Sequence, residues 1–332
     1  MAPDLSLYAT GDRNGNIRIS SLSGISQILT SKPHFSTILS LRFFPSSKVI
    51  LTTSNDFSLS VISAENLSVP RTLKAHTRAV TDSGIISRGK NVLSCAKVKS
   101  SKLLISRLHS QQISSTHQDG TIRLWDVGTG SQIRALGSTD YSPVYKMSIG
   151  RRGFDPVIYR PPDGDVTENI PVSLDSREVD TEDKIVFCAL HNGCFEAFDL
   201  CSKSSFFHSE SPPTTRSPLE SLAYSSADHI LATGSRTGVV TVFDTRQLSG
   251  PLFSFQRNGA SVEDMAIVSE VNGEVRLAIA SADGLPYITS IRPEGPQVIE
   301  ELVGYDCDPV RGIKFVGESI WTAGDDGLIR KY

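Results

Sequence analysis

The sequence predicts an all-β protein made of seven repeated antiparallel sheets, the arrangement of a seven-bladed β-propeller. The first observation behind this prediction is a short pattern that recurs seven times: a turn-forming pair followed by alternating apolar residues. The copies are NGNIRISS (14–21), DFSLSVIS (56–63), DGTIRLWD (119–126), NGCFEAFD (192–199), TGVVTVFD (237–244), DGLPYITS (283–290) and DGLIRKY (326–332). A turn followed by period-2 alternation is typical of a β-strand.

The spacing of these copies is the second observation. They end at 21, 63, 126, 199, 244, 290 and 332, so the gaps are 42, 63, 73, 45, 46 and 42 residues. Four of the six gaps lie near the period of roughly 40–45 residues that a four-stranded propeller blade takes. One such blade cannot bury both faces of its sheet, whereas seven around an axis can, because each packs on two neighbours. We therefore expect a single propeller domain over 1–332.

The third repeat shows how each unit divides into four strands, lettered a to d. Its strands are predicted at 80–87, 92–96, 121–126 and 132–137. With its opening LKAHTRAVTDSGIISRGKNVLSCAK (73–97) and its closing DGTIRLWD, this repeat resembles the WD40 repeat. The resemblance implies a buried hydrogen-bonded chain in which each polar group satisfies the next. Its structural residues would be Trp125, Ser94, His76 and Asp119.

The other repeats depart from this pattern at the tryptophan position. The replacements are Phe198, Phe243 and Tyr332, and the positions without an aromatic residue are Ser20, Ile62 and Thr289. We expect those blades to depend on ordinary apolar packing instead of a buried polar chain.

Two insertions explain the two long gaps. The first, 98–118, separates strands b and c of the third blade; it is either a retained intron or a surface loop. The second, about 151–183, is rich in Pro and acidic residues and lies between the predicted strands a and b of the fourth blade. Such a composition buries little apolar surface, so we expect a solvated loop, with an acidic docking segment as the alternative.

The two ends of the chain leave the ring incomplete by this arithmetic. The first repeat starts at strand b (LSLYATG) and the last ends at strand c (LIRKY). The first and last blades are therefore predicted to be incomplete at the N-terminal seam, where WD40 proteins normally supply strand d of the last blade and strand a of the first. We infer a truncated sequence at this seam; if the chain does start at Met1, we expect two exposed strand edges and poor soluble expression.

Composition and motifs argue against several functional classes. A net charge of −3 gives no basic field for nucleic acid, and no apolar run is long enough to span a membrane. The five cysteines lack CxxC pairing, so we expect reduced thiols, no metal and no cofactor. Adjacent carboxylates such as Asp325 and Asp326 would point to opposite faces of a strand. With no nucleophile or phosphate-binding motif present, we expect no enzyme activity.

Two segments carry a more specific resemblance. AHTRAVTDSGIISRGKNVLSCAK (75–97) with DGTIRLWD, and GYDCDPVRGIKFVGESIWTAGDDGLIRKY (304–332), resemble the proteasomal ATPase-associated factor family. The resemblance implies a non-catalytic assembly chaperone that binds the C-terminal domain of one AAA ATPase subunit during assembly of the proteasome regulatory particle base. We expect a monomer in the cytoplasm and nucleus, with a protein partner and neither nucleic acid nor membrane.

Charged residues in the predicted b–c and d–a loops are the candidate partner contacts, since these loops share one face of a WD40 ring. The acidic candidates are Asp283, Asp306, Asp308, Asp325 and Asp326, and the basic ones are Arg78 and Arg311. Several carboxylates on one rim attract a basic partner and raise its association rate. Asp before Gly also forms turns, which gives Asp283 and Asp326 an alternative role. The two arginines are assigned to corresponding positions between the loop and strand a; they are either binding hot spots, as Arg often is, or exposed residues without a binding role.

Two other functional classes stay open. A substrate receptor of a cullin–RING ubiquitin ligase would present Trp-Asp-x-Arg at the end of strand c, and the nearest match is Phe243-Asp244-Thr245-Arg246. A generic scaffold is the other alternative. Pull-down would separate the classes by recovering a ligase adaptor or a proteasomal ATPase subunit.

Overall fold

A computed structural model describes residues 1–22, 28–97, 120–139, 142–152, 175–210, 217–269, 274–292, 295–317 and 319–332. Within these ranges the regular structure consists of seven antiparallel sheets, and their number and strand order are those of a seven-bladed β-propeller. The predicted all-β fold class is thus confirmed. None of the described residues forms a helix long and apolar enough to cross a membrane. The chain divides into two compact units, 1–144 and 145–332.

The first unit contains three sheets, numbered in chain order. Sheet 1 has strands β1 (Leu7–Gly11), β2 (Ile17–Ser21) and β3 (Leu29–Ser31). Sheet 2 has β4 (Ile38–Phe43), β5 (Val49–Ser54), β6 (Ser58–Ser63) and β7 (Arg71–Lys74). Sheet 3 has β8 (Val80–Ile86), β9 (Asn91–Ala96), β10 (Thr121–Asp126) and β11 (Ser131–Gly137). Each strand pairs with its neighbours in sequence, so every sheet is a meander.

The second unit contains four sheets of the same topology. Sheet 4 has β12 (Val144–Arg151), β13 (Lys184–Leu190), β14 (Phe195–Asp199) and β15 (Ser204–His208). Sheet 5 has β16 (Leu219–Ser225), β17 (Ile230–Ser235), β18 (Val239–Asp244) and β19 (Phe253–Gln256). Sheet 6 has β20 (Val262–Ser269), β21 (Val275–Ser281), β22 (Tyr287–Ser290) and β23 (Gln297–Glu301), and sheet 7 has β24 (Val310–Val316), β25 (Ser319–Gly324) and β26 (Ile329–Lys331). Sheets 1 and 7 each contain three strands among the described residues, as the sequence predicted.

Apolar side chains fill the space between neighbouring sheets within each unit. In the first unit, Ile19 of sheet 1 packs with Ile50 and Ile62 of sheet 2, and Leu73 of sheet 2 packs with Trp125 of sheet 3. The second unit has equivalent clusters between sheets 4 and 5, 5 and 6, and 6 and 7. Full burial stabilises the folded state by about 1.5–3 kcal/mol for each large aliphatic or aromatic side chain. The sheets are therefore held mainly by contacts across their faces.

A buried polar chain runs through sheet 3. Trp125 Nε1 donates a hydrogen bond of 2.8 Å to Ser94 Oγ, and His76 Nε2 lies 2.7 Å from the same oxygen. The Trp125 side chain is 1% exposed. The fourth predicted member, Asp119, lies outside the described residues, as does the insertion at 98–118. The strands on either side of that insertion pair in regular register from Ile122 opposite Cys95 onward, so it does not displace them.

Sheet 2 contains a similar polar chain although it lacks tryptophan, so the expectation of ordinary apolar packing is wrong there. His34 Nε2 lies 2.8 Å from Thr52 Oγ1, and His34 Nδ1 lies 3.0 Å from Asp56 Oδ2. Ile62, at the tryptophan position, is fully buried. The polar chain needs only the histidine, the hydroxyl and the carboxylate, and an aliphatic side chain fills the remaining volume.

The second insertion joins β12 to β13, between strands a and b as predicted. Its residues 153–174 lie outside the described part of the chain. The residues that follow differ from the solvated loop we expected, because Glu178 forms an ion pair with Lys203 and the two side chains are 1% and 4% exposed. Arg152, at the start of the insertion, pairs with Asp199 at the end of β14. One acidic residue of the insertion, Glu178, is therefore buried against sheet 4 and is not solvated.

Trp125→Ala is expected to lower the free energy of unfolding by about 3–5 kcal/mol, because it removes a buried ring and a donor to Ser94. Urea unfolding followed by circular dichroism measures the change. Trp321→Ala is the matched control, since Trp321 is only partly buried and its loss should cost clearly less. A loss below about 1 kcal/mol for Trp125→Ala would show that sheet 3 is not held by this residue.

The stability of the protein should fall as the pH is lowered from 7 toward about 5.5. Burial lowers the pKa of His34 below its usual 6.5, against the opposing effect of Asp56. The folded state therefore binds a proton at His34 less readily than the unfolded state, and stability is lost as the pH falls through the folded pKa. His34→Gln should show a shallower dependence in urea unfolding over this range. Equal slopes for both proteins would contradict the assignment of a neutral buried imidazole.

Candidate protein-binding site

The loops that connect sheets 6 and 7 bring the predicted acidic residues together in the second unit. The d–a loop, 302–309, joins β23 to β24. The b–c loops of the two sheets, 282–286 and 325–328, join β21 to β22 and β25 to β26. An ideal Cβ on Gly284 would lie 2.9 Å from the backbone of Cys307, so the b–c loop of sheet 6 is in direct backbone contact with the d–a loop. We call these three loops the acidic loop cluster.

Tyr305 fastens the d–a loop to sheet 7. Its hydroxyl donates a hydrogen bond of 2.7 Å to Thr322 Oγ1 on β25, at the position that Ser94 occupies on β9. The Arg330 guanidinium lies 3.9 Å from the centre of the Tyr305 ring, a cation–π contact. Tyr332 Oη donates to the Val303 carbonyl at 2.8 Å. The expectation of purely apolar packing is thus wrong for sheet 7 also, and the loop is held in a defined conformation.

Asp283 and Asp326 are occupied by contacts within the protein. Asp283 accepts hydrogen bonds from the side chain of Asn258, from Ser281 and from the Leu285 N–H. Asp326 accepts from the Leu328 N–H and pairs with Arg330. Partial burial acts to raise the pKa of each carboxyl, but these donors outweigh it and hold both pKa values below the usual range. Their first role is to shape the turns.

Asp325 and Arg311 are placed together, but they pair with each other. Arg311 Nη2 donates to Asp325 Oδ2 at 2.9 Å, and Arg311 Nη1 donates to Glu263 Oε2 on β20 at 2.7 Å. The arginine is 46% exposed and the two carboxylates are about half as exposed. This surface trio links sheets 6 and 7. A partner that used any one of its charges would have to compete with the internal pairs.

Asp306 and Asp308 differ from the other candidates. Among the described residues, neither carboxylate has a hydrogen bond or an ion pair, and Asp306 is exposed while Asp308 is half-buried. Exposed aliphatic side chains lie on the same three loops. They are Leu285 (46% exposed), Val303 (69%) and Leu328 (56%). The acidic loop cluster therefore combines uncompensated negative charge with apolar surface on loops that are fixed at their bases.

The two arginines do not occupy corresponding positions, so that part of the prediction is wrong. Val80 and Val310 each begin strand a and each precede a β-bulge in the pairing with strand b. Arg311 is therefore the bulged residue, equivalent to Thr81, whereas Arg78 precedes its strand by two residues. Arg78 is half-buried, and its Nε has no hydrogen-bond partner among the described residues. The bulge inserts a residue that simple alternation does not reveal.

Several residues that hold the loops in place were not predicted from the sequence. His34 could have been found, because it precedes Thr52 by 18 residues, the same separation as His76 and Ser94. Tyr305 could not be found in this way, because it is not a histidine and precedes Thr322 by 17 residues instead of 18. Glu263 carried no signal for its pair with Arg311, which depends on how sheets 6 and 7 pack.

The adjacent carboxylates Glu263 and Asp264 diverge, as strand geometry requires. Asp264 points inward and pairs with Lys314 at 3.1 Å and Lys146 at 3.6 Å. Burial would raise the pKa of Asp264, but the two lysines and the Ile313 N–H lower it to about 2. Within the described ranges, no group of three or more His, Cys, Asp or Glu residues is arranged to hold a metal ion. The five cysteines are free thiols.

The fold and a family match define the class of protein. Residues 25–63 match the family model described as WD domain, G-beta repeat. The match covers one repeat, and the seven sheets have the number and strand order of a WD40-repeat β-propeller.

Comparison with curated proteins is more specific. The chain is 26% identical over 165 residues to the probable proteasomal ATPase-associated factor 1 of Dictyostelium discoideum, a match that covers 48% of this chain and 38% of the relative. It is 35% identical over 83 residues to the 26S proteasome regulatory subunit RPN14 of Saccharomyces cerevisiae, covering 25% and 20%. The human proteasomal ATPase-associated factor 1 is 29% identical over 103 residues, covering 31% and 24%. Each match spans less than two fifths of the relative, and the resemblance to the proteasomal ATPase-associated factors is confirmed.

Tyr305→Phe should lower the free energy of unfolding by about 1–2 kcal/mol, because it removes the buried hydrogen bond from Tyr305 to Thr322 Oγ1. Urea unfolding measures the change. Tyr332→Phe is the control: it removes a more exposed hydroxyl, and its cost should stay below about 0.5 kcal/mol. Equal effects of the two variants would show that Tyr305 does not hold the d–a loop through its hydroxyl.

Proposed function

We propose that this protein is an assembly chaperone of the proteasome regulatory particle base and binds the C-terminal domain of one AAA ATPase subunit through the acidic loop cluster. The observation that carries the proposal is the pair Asp306 and Asp308, whose carboxylates are uncompensated among the described residues and stand beside exposed aliphatic side chains. Opposite charge on a partner would raise the association rate, and apolar contact would slow dissociation. The names of the relatives support a proteasomal ATPase as that partner.

The mechanism in this proposal is steric and electrostatic. A propeller face with fixed loops would cover one surface of the ATPase subunit and keep other proteins from it until release. The WD40 match and the relatives named proteasomal ATPase-associated factor support a non-catalytic protein. We also propose that the protein acts as a monomer in the cytoplasm and nucleus.

The ligase-receptor alternative has no support of comparable weight. In the segment that suggested it, Arg246 forms a two-point ion pair with its own neighbour Asp244, through Nε and Nη2. The Phe243 ring packs with the apolar cluster between sheets 4 and 5. An adaptor that grips this arginine would first have to break the pair with Asp244.

The double substitution Asp306→Lys/Asp308→Lys should weaken binding to the cognate ATPase C-terminal domain by about tenfold or more. Most of the loss should appear in the association rate, and the remaining binding should depend less on salt. Surface plasmon resonance with the separately produced C-terminal domains of the proteasomal ATPase subunits, at two salt concentrations, measures both effects.

The matched control is Glu65→Lys/Glu182→Lys. It changes the net charge by the same amount, and both residues are exposed. Glu65 follows β6 and Glu182 precedes β13, so each lies at the strand end opposite the b–c loop of its sheet. The control should bind like the unaltered protein. Equal binding by both double variants would remove Asp306 and Asp308 from the interface. Recovery of a cullin adaptor without any ATPase subunit in a pull-down would refute the proposed function itself.

A further inference from the structure

Phe57 occupies a backbone position that glycine occupies in all the other repeats. The second residue of the turn-forming pair is Gly15, Gly120, Gly193, Gly238, Gly284 or Gly327, each with a positive φ. Phe57 adopts the same left-handed conformation, with φ of 71°. A bulky side chain rarely takes this conformation, because its Cβ crowds the backbone. The strain has to be outweighed by something that a phenyl ring provides and a hydrogen atom does not.

Packing within the protein does not provide that compensation among the described residues. Leu67 has a similar φ of 57°, but its side chain is 8% exposed and belongs to the core between sheets 1 and 2. Phe57 is 43% exposed and belongs to none of the apolar clusters that the described residues form. A strained residue that the core does not require often serves a functional contact.

A second exposed ring lies on the loop that is hydrogen-bonded to the Phe57 turn. Phe35, in the d–a loop before sheet 2, is 90% exposed. Its backbone N–H donates a hydrogen bond of 3.0 Å to Asp56 Oδ2, on the residue that precedes Phe57. The same carboxylate binds His34, so the buried polar chain of sheet 2 fixes both loops. Two aromatic side chains are thus presented to solvent from a rigid base.

The border of this aromatic pair is basic. Lys32 lies in the same d–a loop as Phe35, and Lys74 pairs in register with Ser58, next to Phe57. Arg13 lies in the b–c loop of sheet 1, where its carbonyl accepts a hydrogen bond of 3.1 Å from Thr37 in the Phe35 loop. All three basic side chains are exposed.

The acidic residues of these loops are engaged internally. Asp56 bonds to His34, Phe35 and Ser58, and Asp12 bonds to Asn14 and Asn16. The internal hydrogen bonds lower the pKa of Asp56 and Asp12 against the effect of partial burial, so both stay ionised while they hold the turns. The charge that faces solvent around the aromatic pair is therefore mainly positive.

We propose that Phe35 and Phe57, with Arg13, Lys32 and Lys74, form a second protein-binding site, which takes an acidic peptide segment carrying an apolar anchor residue. Exposed aromatic rings on a fixed base bury large apolar area at little entropic cost, as binding hot spots do. The surrounding cations would attract carboxylates on either side of the anchor. The charge of this site is opposite to that of the acidic loop cluster, so it takes a different ligand and does not depend on the proposed ATPase contact.

The test uses the full chain as bait for a phage-displayed random peptide library, with counter-selection on the Phe35→Ser/Phe57→Gly variant. The enriched peptides are synthesised, and their affinities are measured by fluorescence anisotropy. We expect a consensus of an aliphatic or aromatic residue flanked by Asp or Glu. These peptides should bind the double variant more than about tenfold more weakly. Phe315→Ala, which removes a comparably exposed ring from β24, should leave binding unchanged.

The single variants separate binding from folding. Phe57→Gly relieves the left-handed strain, so its thermal unfolding midpoint should be equal or higher while peptide binding falls. Phe35→Ser alters a side chain that is 90% exposed, so the thermal unfolding midpoint should not change. Its peptide binding should also fall.

The proposal would be overturned by basic or uncharged consensus peptides, or by a library without variant-dependent enrichment. It would also be overturned by a clear drop in the midpoint of Phe57→Gly, since the ring would then serve the fold. Two other ligands are tested in parallel: oligouridylate and phosphatidylserine-containing vesicles. If the variants abolish binding of one of these and leave peptide binding unchanged, the site belongs to another class of ligand and the proposal is overturned.

Discussion

Three d–a loops among the described residues depend on a buried hydrogen bond to the second strand of the sheet that follows the loop. In three sheets the loop residue is His34, His76 or Tyr305, and the strand supplies a threonine or serine hydroxyl. In a low-dielectric interior such a bond is costly to leave unmade. The loop backbone is therefore held in place, while neighbouring side chains such as Phe35 and Asp306 remain exposed.

Aspartate has two different uses on these loops. Asp56, Asp283 and Asp326 stand at the turn itself, where backbone N–H groups and polar side chains consume their oxygens. Asp306 and Asp308 stand in the d–a loop, on either side of a residue in the left-handed conformation, and keep their charge available. Position relative to the turn decides which carboxylates can act on another molecule. Counting acidic residues alone would overestimate the charge that a partner meets.

The repeated turn-and-strand pattern was enough to predict the sheets, and β10 begins and ends where DGTIRLWD indicated. Pairing between side chains was harder. The contact of Arg311 with Asp325 and Glu263 depends on a β-bulge after Val310, and a bulge leaves no mark on apolar alternation. The polar chain of sheet 2 has the same separation of 18 residues as that of sheet 3, but no tryptophan marks its repeat. The acidic, Pro-rich composition of the second insertion predicted a solvated loop, but its Glu178 forms a buried ion pair with Lys203.

That buried pair sets a limit on how the protein can be shortened. Lys203 lies between β14 and β15, and its ammonium group is shielded from water together with the carboxylate of Glu178. A shorter connection that removes 153–174 would keep both partners. A deletion that continues past Glu178 would leave a positive charge stranded inside sheet 4, at a cost of about 3–5 kcal/mol. The length of the connection between β12 and β13 can therefore vary before Glu178 at little cost in stability, whereas a deletion that removes Glu178 is costly.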